Sequence, residues 1–498
     1  MGHSHQRASG GTRIERHGCD RCDGALGGRI GQIVLTGRAL ALFSLGLLAG
    51  CVRYEPAPVV LDEHVAKRAA VSFDSAQNAA TVRRIAPEAA SAAGLDRLAL
   101  FAALLDHDPK LVQARAAIAS AEAEARASRH VVGPTFTLTA EYANDPATTS
   151  PWLLGGAVNV PLDRGGQRRA RLDRADLSVV MARYDYAEVL WSDRMAMRRA
   201  LIDGEIARRQ IALGQEIALL RTRQIAALDR QVRAGELAGA AVSPFRSLQA
   251  QEARALEDAR GRALAARTAI AGILGVPTAT IVAAELSWPE FDAPRADPAA
   301  GLTPELRAKA VAARADLLHA LAAYDQTDAN VRGEIARQYP VLSLAPGYTW
   351  ERGLVKLPLS VNLALPTFDG NRAAIRAALA RRDAAGTAIE TAIAGAQAEI
   401  DAALVERRAA MAALERIRAT ELPQVQLRAD QAQAQLARGQ IARADWADAM
   451  LAVPAARLAA LDALARVQAA DAALENGIRR PLEGPETMIT PERLETKR

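Results

Sequence analysis

Four segments of the chain alternate apolar and polar residues, the period-two pattern of β-strands that have two unlike faces. They are Thr135 to Tyr142, Trp152 to Leu162, Pro340 to Trp350, and Leu357 to Leu365. Each has about the ten residues that a tilted strand needs to cross a bilayer. Aromatic residues stand near the strand ends, where we expect a membrane interface: Tyr142, Trp152, Tyr348 and Trp350. The pattern predicts transmembrane strands, and the alternative is a soluble sandwich with one wet face.

Outside these segments the apolar residues follow the period of long helices. Residues 167–232 contain no proline and would extend roughly 100 Å at a rise of 1.5 Å per residue. An apolar stripe with coiled-coil-like spacing runs along them, formed by Ile202, Ile206, Leu213, Ile217, Leu220 and Leu228. The second long helix, residues 371–438, contains Pro423, which should kink the helix or mark a break.

Both long helices end at a glycine, Gly235 and Gly439, and a helix restarts soon after each. Glycine is favoured there because it adopts the left-handed conformation that ends many helices. After the first of these glycines, Ser243 and Pro244 are typical of an N-cap and a first helical residue. The pattern predicts two helical hairpins whose tips lie at the end farthest from the strands.

The same elements occur twice, at an offset near 205 residues. Four pairs of positions keep one order: Pro109 and Ala315, Pro134 and Pro340, Pro161 and Pro366, Gly235 and Gly439. The predicted fold is mainly α, with long helical hairpins and four strands per chain. The predicted domains are a leader (1–50), an N-terminal segment (51–95), a first repeat (96–275), a linker (276–303), a second repeat (304–478) and a polar tail (479–498).

Four strands cannot close a barrel, and open strand edges are not tolerated in lipid. The strands must therefore be pooled between copies of the chain. Two copies would give eight strands, whose side chains fill the interior, whereas three would give twelve and leave room for a pore. The pattern predicts a homotrimer, the smallest closed assembly that leaves a pore.

The N-terminus predicts export and lipid attachment. A basic stretch ends at Arg38, an apolar run covers residues 39–48, and Leu48-Ala49-Gly50-Cys51 resembles a bacterial lipobox. Cys51 would be acylated and become the first residue, so that residues 51–95 form a lipid-anchored segment in the outer membrane. Cleavage would remove Cys19 and Cys22, leaving no thiolate metal site.

Composition and motifs exclude other classes of function. The formal net charge of the chain is +5. The first fifty residues contain six Arg and three acidic residues, so they contribute +3, and the rest of the chain carries +2. Its Lys and Arg residues are not concentrated on one face. Nucleic acid is therefore not a predicted partner. No H-E-x-x-H, Walker or G-x-S-x-G motif occurs, so no catalytic residue, metal site or cofactor is predicted. Asp106, His107 and Asp108 are adjacent but should point in different directions, which does not suit a metal site.

These markers together resemble the TolC-like outer membrane efflux protein family over nearly the whole chain after Cys51. The carriers of the resemblance are Asp108-Pro109-Lys110-Leu111, Tyr339-Pro340-Val341-Leu342, the strand exits at Pro161 and Pro366, and the tip glycines. Pro346-Gly347-Tyr348-Thr349-Trp350 and Leu365-Pro366-Thr367-Phe368-Asp369-Gly370-Asn371-Arg372 look most like the cobalt-zinc-cadmium resistance branch.

The resemblance implies a trimer with a twelve-stranded barrel that is continued by a helical tunnel through the periplasm. The tips of this channel would dock to a periplasmic adaptor protein and an inner-membrane pump. The channel is a passive conduit, not an enzyme, within a tripartite efflux system of the RND type, for drugs or heavy metals. The implied docking residues are Gly235, Glu236, Leu237, Gly439, Gln440 and Ile441. Charged residues just past the second tip would line a periplasmic gate: Arg443, Asp445 and Asp448.

Three other interpretations fit part of the sequence. A periplasmic adaptor lipoprotein also has long hairpins and a lipid anchor, but it needs one hairpin rather than two. A type I secretion outer-membrane channel has the same predicted architecture and a different cargo. A purely structural coiled-coil lipoprotein would give the alternating strands no purpose.

Overall fold

The computed structural model describes residues 54–89, 94–131, 133–142, 150–162, 166–295, 302–351, 353–364 and 368–489. The chain forms two units, Met1–Glu63 and His64–Arg498. In the first unit, the described residues 54–60 have no regular structure, and helix α1 (Leu61–Ala69) begins. None of the residues of α1 is buried. All remaining helices and strands belong to the second unit.

The second unit repeats one series of elements. The first series is α2 (Ser75–Ile85), α3 (Arg97–His107), α4 (Pro109–Ser128), β1 (Thr135–Tyr142), β2 (Trp152–Leu162), α5 (Gln167–Arg233), α6 (Ser243–Leu274) and the short α7 (Thr278–Val282). The second is α8 (Pro304–Ala312), α9 (Ala315–Ala336), β3 (Val341–Glu351), β4 (Leu354–Lys356), β5 (Leu359–Ala364), α10 (Arg372–Arg416), α11 (Leu422–Ala437) and α12 (Arg443–Ile478). Long helices follow each strand pair in both series, as the repeat predicts.

The strands form one antiparallel sheet in the order β1, β2, β3, with β4 and β5 both paired to β3. The prediction of a single fourth strand was wrong, because that segment begins earlier and is divided at Leu357 and Pro358. Proline has no N–H to donate to the ladder, so it interrupts a strand. The register is nevertheless continuous, since Lys356 lies opposite Thr349 and Leu359 opposite Pro346. The sheet is therefore four strands wide, although it contains five strand segments.

Helix α5 is the centre of the helical part and contacts α4, α6, α9 and α12. Its 67 residues confirm the long first helix. Ile202, Ile206, Leu220 and Leu228 of the predicted stripe are buried, so this face is the packed one. The main apolar core joins α3, α5, α6 and α12. Among the described helices, none combines the length and the apolar character needed to cross a membrane.

Pro423 breaks the second long helix, as its sequence position predicts. Helix α10 ends at Arg416, a π-helical turn covers Ile417–Glu421, and α11 begins at Leu422. Within that turn the Leu422 N–H donates to the Ile417 carbonyl, five residues earlier. A π-turn of this kind accommodates a residue that cannot take part in the regular ladder of hydrogen bonds, and proline is such a residue.

Two segments with the composition of loops are packed into the core. Trp288 and Phe291, from the predicted linker, are buried and contact each other edge to face at 5.2 Å. In the predicted polar tail, residues 485–488 form a 3₁₀ turn and Glu486 is buried. The described part of the predicted tail, residues 479–489, is therefore packed against the core, although only residues 485–488 have regular structure.

Candidate functional site

The sheet presents one continuous apolar face. Residues directly opposite each other in an antiparallel ladder point to the same side. Phe136 lies opposite Val158, and Leu344 opposite Val361, which joins the apolar positions of neighbouring strands. Large apolar side chains on this face are exposed in the single chain: Phe136, Leu138, Tyr142, Leu154, Val158, Leu344, Tyr348, Val361 and Leu363. An apolar surface of this extent is typical of a protein or membrane contact.

The predicted interface aromatics lie on this face, at one end of the strands. Tyr142 is opposite Trp152, and their rings meet edge to face with centroids 5.0 Å apart. Tyr348 is exposed, and Trp350 is half-buried opposite Leu154. The rings of Tyr142 and Trp152 are therefore in contact. Tyr348 and Trp350 lie apart from that pair on the same face of the sheet.

The other face of the sheet is polar and lined by small side chains. It carries Thr137 opposite Ala157, and Ser343 opposite Asn362. The Asn362 side-chain amide donates to the Asn159 side-chain oxygen at 3.4 Å, across the small residues of β3. Within the described residues, β1 pairs only with β2, and β5 only with β3, so the sheet has two open edges.

Both hairpin tips are built by the same backbone motif. Gly235 has φ +74° and Gly439 has φ +67°, values that favour glycine. At the first tip, the Glu236 N–H donates to the Gln231 carbonyl at 2.9 Å. At the second, the Gln440 N–H donates to Gln435 at the same distance. These are Schellman caps, which satisfy carbonyl groups at the end of a helix.

The two tips lie side by side. Leu228 and Val242 of the first hairpin pack in one buried cluster with Ala444 of the second. The Gln224 side-chain amide reaches the Ala444 carbonyl at 3.5 Å. Ser243 was predicted to be the N-cap but is the first residue of α6, and no side chain caps this helix. The Ser243 N–H donates to the Ala240 carbonyl in the 3₁₀ turn that precedes the helix.

The predicted docking and gate positions are accessible. Gly235, Glu236, Gly439 and Gln440 are exposed, and the apolar side chains of Leu237 and Ile441 are half-buried beside them. Each tip therefore offers a polar turn next to an apolar residue. All three predicted gate residues, listed here, lie on exposed positions of α12: Arg443, Asp445 and Asp448.

The remaining predictions concern the lipid anchor at Cys51 and the acidic cluster at residues 106–108. Cys51 lies outside the described residues, so its acylation stays a prediction. Asp106, His107 and Asp108 do point to different neighbours: Asp106 accepts a hydrogen bond from Thr81 at 3.1 Å, and Asp108 caps α4. Among the described residues, no group of three His, Cys, Asp or Glu side chains is arranged to hold a metal ion.

Asp108 belongs to a buried acidic pair. Its Oδ1 accepts the Lys110 N–H at 2.8 Å, while the Lys110 ammonium donates to Asp193 Oδ1 at 2.7 Å. The Oδ2 atoms of Asp108 and Asp193 are buried and have no hydrogen-bond partner in the described part of the chain. Burial raises the pKa of Asp108 to about 6, and the adjacent carboxyl of Asp193 adds to the rise.

A buried ionic cluster, which no sequence pattern predicted, joins the repeats. Arg194 of α5 donates to Glu475 of α12 at 3.0 Å and to Glu486 at 3.1 Å. Arg198, one turn further along α5, donates to the same Glu475 at 3.0 Å. Arg97 of α3 pairs with Glu483 at 3.3 Å and lies over the Trp288 ring at 4.5 Å. No sequence signal indicated these partners, because they lie far apart along the chain.

Comparison with known proteins agrees with this architecture. Residues 100–276 and 306–478 match the outer membrane efflux protein family. The cobalt-zinc-cadmium resistance protein CzcC of Cupriavidus metallidurans is 26% identical over 230 residues, which cover 46% of this chain and 53% of that protein. The chain thus matches about half the length of this relative.

Solved structures share the fold. A membrane protein from Pseudomonas aeruginosa superposes with a TM-score of 0.65 at 20% identity, covering 86% of this chain and 99% of that one. The open MtrE outer membrane channel of Neisseria gonorrhoeae gives 0.61 at 18% identity, covering 77% and 89%. With the two matched segments extending over both repeats, the chain belongs to the outer membrane efflux protein family.

Proposed function

We propose that this protein is the outer-membrane channel subunit of a tripartite efflux system and that its sheet lines a pore. The observation that carries the proposal is the sheet with one apolar and one polar face and two open edges. The apolar face can contact lipid. In a membrane, the backbone N–H and C=O groups of the two edge strands need hydrogen-bond partners, which only closure of the sheet provides. The channel conducts passively and is energised by its partners.

Closure requires copies of the chain. Each copy supplies four strand positions, because β4 and β5 continue one register, so three copies give a twelve-stranded barrel. The polar face, with Asn159 and Asn362, then lines the lumen. The long hairpins continue the conduit into the periplasm, and acylated Cys51 anchors the chain in outer-membrane lipid.

The tips are the proposed docking surface for a periplasmic adaptor protein, which links the channel to an inner-membrane pump of the RND type. Two identical Schellman caps give similar exposed turns, at Gly235–Leu237 and Gly439–Ile441. The relative's name, cobalt-zinc-cadmium resistance protein, supports heavy-metal ions as the cargo, with drugs as the second candidate. The metal passes through as substrate.

Arg443, Asp445 and Asp448 are the proposed periplasmic gate. Exposed charges near a constriction alter ion flow without supporting the fold. Replacing both acids with Ala should change single-channel conductance and leave thermal stability unaltered. The matched control is Asp462→Ala, an exposed acid further along α12. Equal conductance in the double variant, the control and the wild type would remove the gate from the proposal.

The first experiment is the native mass and planar-bilayer conductance of the protein extracted from outer membranes in mild detergent. A trimer with discrete conductance steps is the expected result. A monomer extracted from the inner membrane and silent in bilayers would contradict the channel and favour the adaptor. For a trimeric channel, growth of a deletion strain on cobalt, zinc and cadmium salts then tests the cargo. Labelling with radioactive palmitate, lost in Cys51→Ser, tests the anchor.

A further inference from the structure

A large groove opens on the second unit, away from the sheet and the tips. Its volume is about 920 Å³, within the range of small-molecule sites. It lies between α5, α8 and the chain that follows α12. The groove is lined by an apolar set from these segments: Leu190, Trp191, Leu302, Leu306, Leu482 and Ile489. This lining could bury the apolar body of a ligand.

Cations surround the apolar lining. Lys309, Arg480 and Arg295 line the groove and are exposed. Lys309 and Arg480 have no ion-pair partner in the described chain, and Arg295 donates only to the Leu482 carbonyl, at 3.3 Å. The two buried or half-buried arginines of the lining, in contrast, are already neutralised: Arg194 by Glu475 and Glu486, and Arg479 by Glu188.

The one carboxylate of the lining does not balance these cations. Glu486 is buried and its carboxylate lies 3.1 Å from the Arg194 guanidinium, so its charge is already neutralised by that arginine. Among the described residues of the lining, three exposed cations therefore face the groove without a paired carboxylate. Cations beside an apolar surface favour an anionic ligand, because a charge-assisted hydrogen bond to a partly desolvated head group is about twice as strong as a neutral one.

We propose that this groove binds a small anionic amphiphile, one carboxylate on an apolar body the size of a medium-chain fatty acid. The carboxylate contacts Lys309 and Arg480, and the apolar body lies against Trp191 and Leu306. The free acid, not a phospholipid, is the ligand. Neither the strands nor the hairpin tips contribute residues to this site.

Native mass spectrometry of the purified full-length protein with decanoate tests the site, because detergent is removed before detection. We expect one decanoate per chain. Lys309→Gln combined with Arg480→Gln should weaken binding about tenfold or more, the effect of losing roughly 1.5 kcal/mol of charge-assisted bonding. The matched control is Arg223→Gln combined with Arg254→Gln, two exposed arginines on α5 and α6 outside the groove.

A second variant keeps the test sharp if the first is poorly folded. Leu306 is about half exposed, so Leu306→Glu adds a carboxylate to the groove without disturbing the core, and it should abolish the decanoate adduct. Equal adducts in wild type and in both groove variants would overturn the proposal. So would the absence of any adduct, or a co-purified phospholipid in the wild type that decanoate does not displace.

Discussion

The guanidinium of Arg194 and the carboxylate of Glu475 form a buried ion pair, with Nη2 and Oε2 3.0 Å apart. The side chains are 5% and 0% exposed. The pair connects α5 of the first repeat with α12 of the second. Glu475 also accepts from Arg198 and from the Leu482 N–H, so one carboxylate holds two helices and the C-terminal segment together.

Removing this carboxylate should destabilise the protein strongly. In Glu475→Gln, two buried arginines lose a shared counter-charge, and breaking such a pair costs about 3–5 kcal/mol. The measurement is the thermal unfolding of the helical signal. The control is Glu406→Gln, whose partner Arg466 is half exposed, where the expected loss is below about 1 kcal/mol. Similar losses in the two variants would contradict a special role for Glu475.

This pair also marks the limit of what the sequence predicts. Periodicity predicted the strands and the long helices, and residue type predicted the tip glycines and the break at Pro423. Each of these features depends on local backbone preference. It could not identify Glu475 as the partner of Arg194, 281 residues away, since a polar residue within a helix is usually assigned to the solvent face. The burial of Trp288 and Glu486 was not predicted for the same reason, because each contacts an arginine that is distant in the sequence.

The division of the fourth strand could be anticipated only in part. Pro358 was visible in the sequence, and proline weakens a strand. Its position opposite Gly347, whose N–H donates to the Pro358 carbonyl at 2.8 Å, depends on the register between two strands. A side chain on Gly347 would approach the proline ring to about 3.2 Å, so this glycine allows the close packing.

The buried pair of Asp108 and Asp193 predicts a pH-dependent stability. The folded pKa of Asp108, about 6, lies above its usual 3.8. A raised pKa stabilises the protonated fold, so this contribution is complete below pH 4 and is lost as the pH rises through 6.

The variant Asp108→Asn isolates this effect. The amide oxygen can still accept the Lys110 N–H, and the neutral side chain removes the titration. We expect the variant to gain stability relative to wild type as the pH rises from about 4 to about 6 and to keep that gain at higher pH, measured as the difference of their unfolding temperatures. Asp471, whose pKa burial also raises to about 6, is present in both proteins and cancels in the difference. A pH-independent difference would refute the assignment.

The tip glycines predict opposite effects of one substitution at two sites. A Cβ at Gly235 or at Gly261 would meet no atom within 4 Å, so space is equal at both positions. Only Gly235 has a positive φ. Gly235→Ala should therefore lose about 1 kcal/mol, whereas Gly261→Ala, within α6, should gain about 0.5–1 kcal/mol.

Hydrogen exchange provides the local measurement for the tips. Exchange of the Glu236 amide, which donates to Gln231, should speed up in Gly235→Ala and stay unchanged in Gly261→Ala. The same comparison applies to Gln440 and Gly439→Ala. Unchanged exchange in both tip variants would mean that the left-handed glycine does not maintain the cap.

Two adjacent residues of β1 distinguish the faces of the sheet. Leu138 is 76% exposed on the apolar face, and Thr137 points to the polar side. If lipid covers the apolar face, Leu138→Arg places a charge in the bilayer and costs about 2–4 kcal/mol near its middle. Thr137→Arg places the same charge towards water in the lumen. We therefore expect Leu138→Arg to lower the amount of heat-resistant trimer recovered from outer membranes, and Thr137→Arg to leave the trimer intact while reducing its conductance. Equal recovery of both would contradict the membrane assignment of this face, because a soluble sheet with two wet faces would accept either arginine.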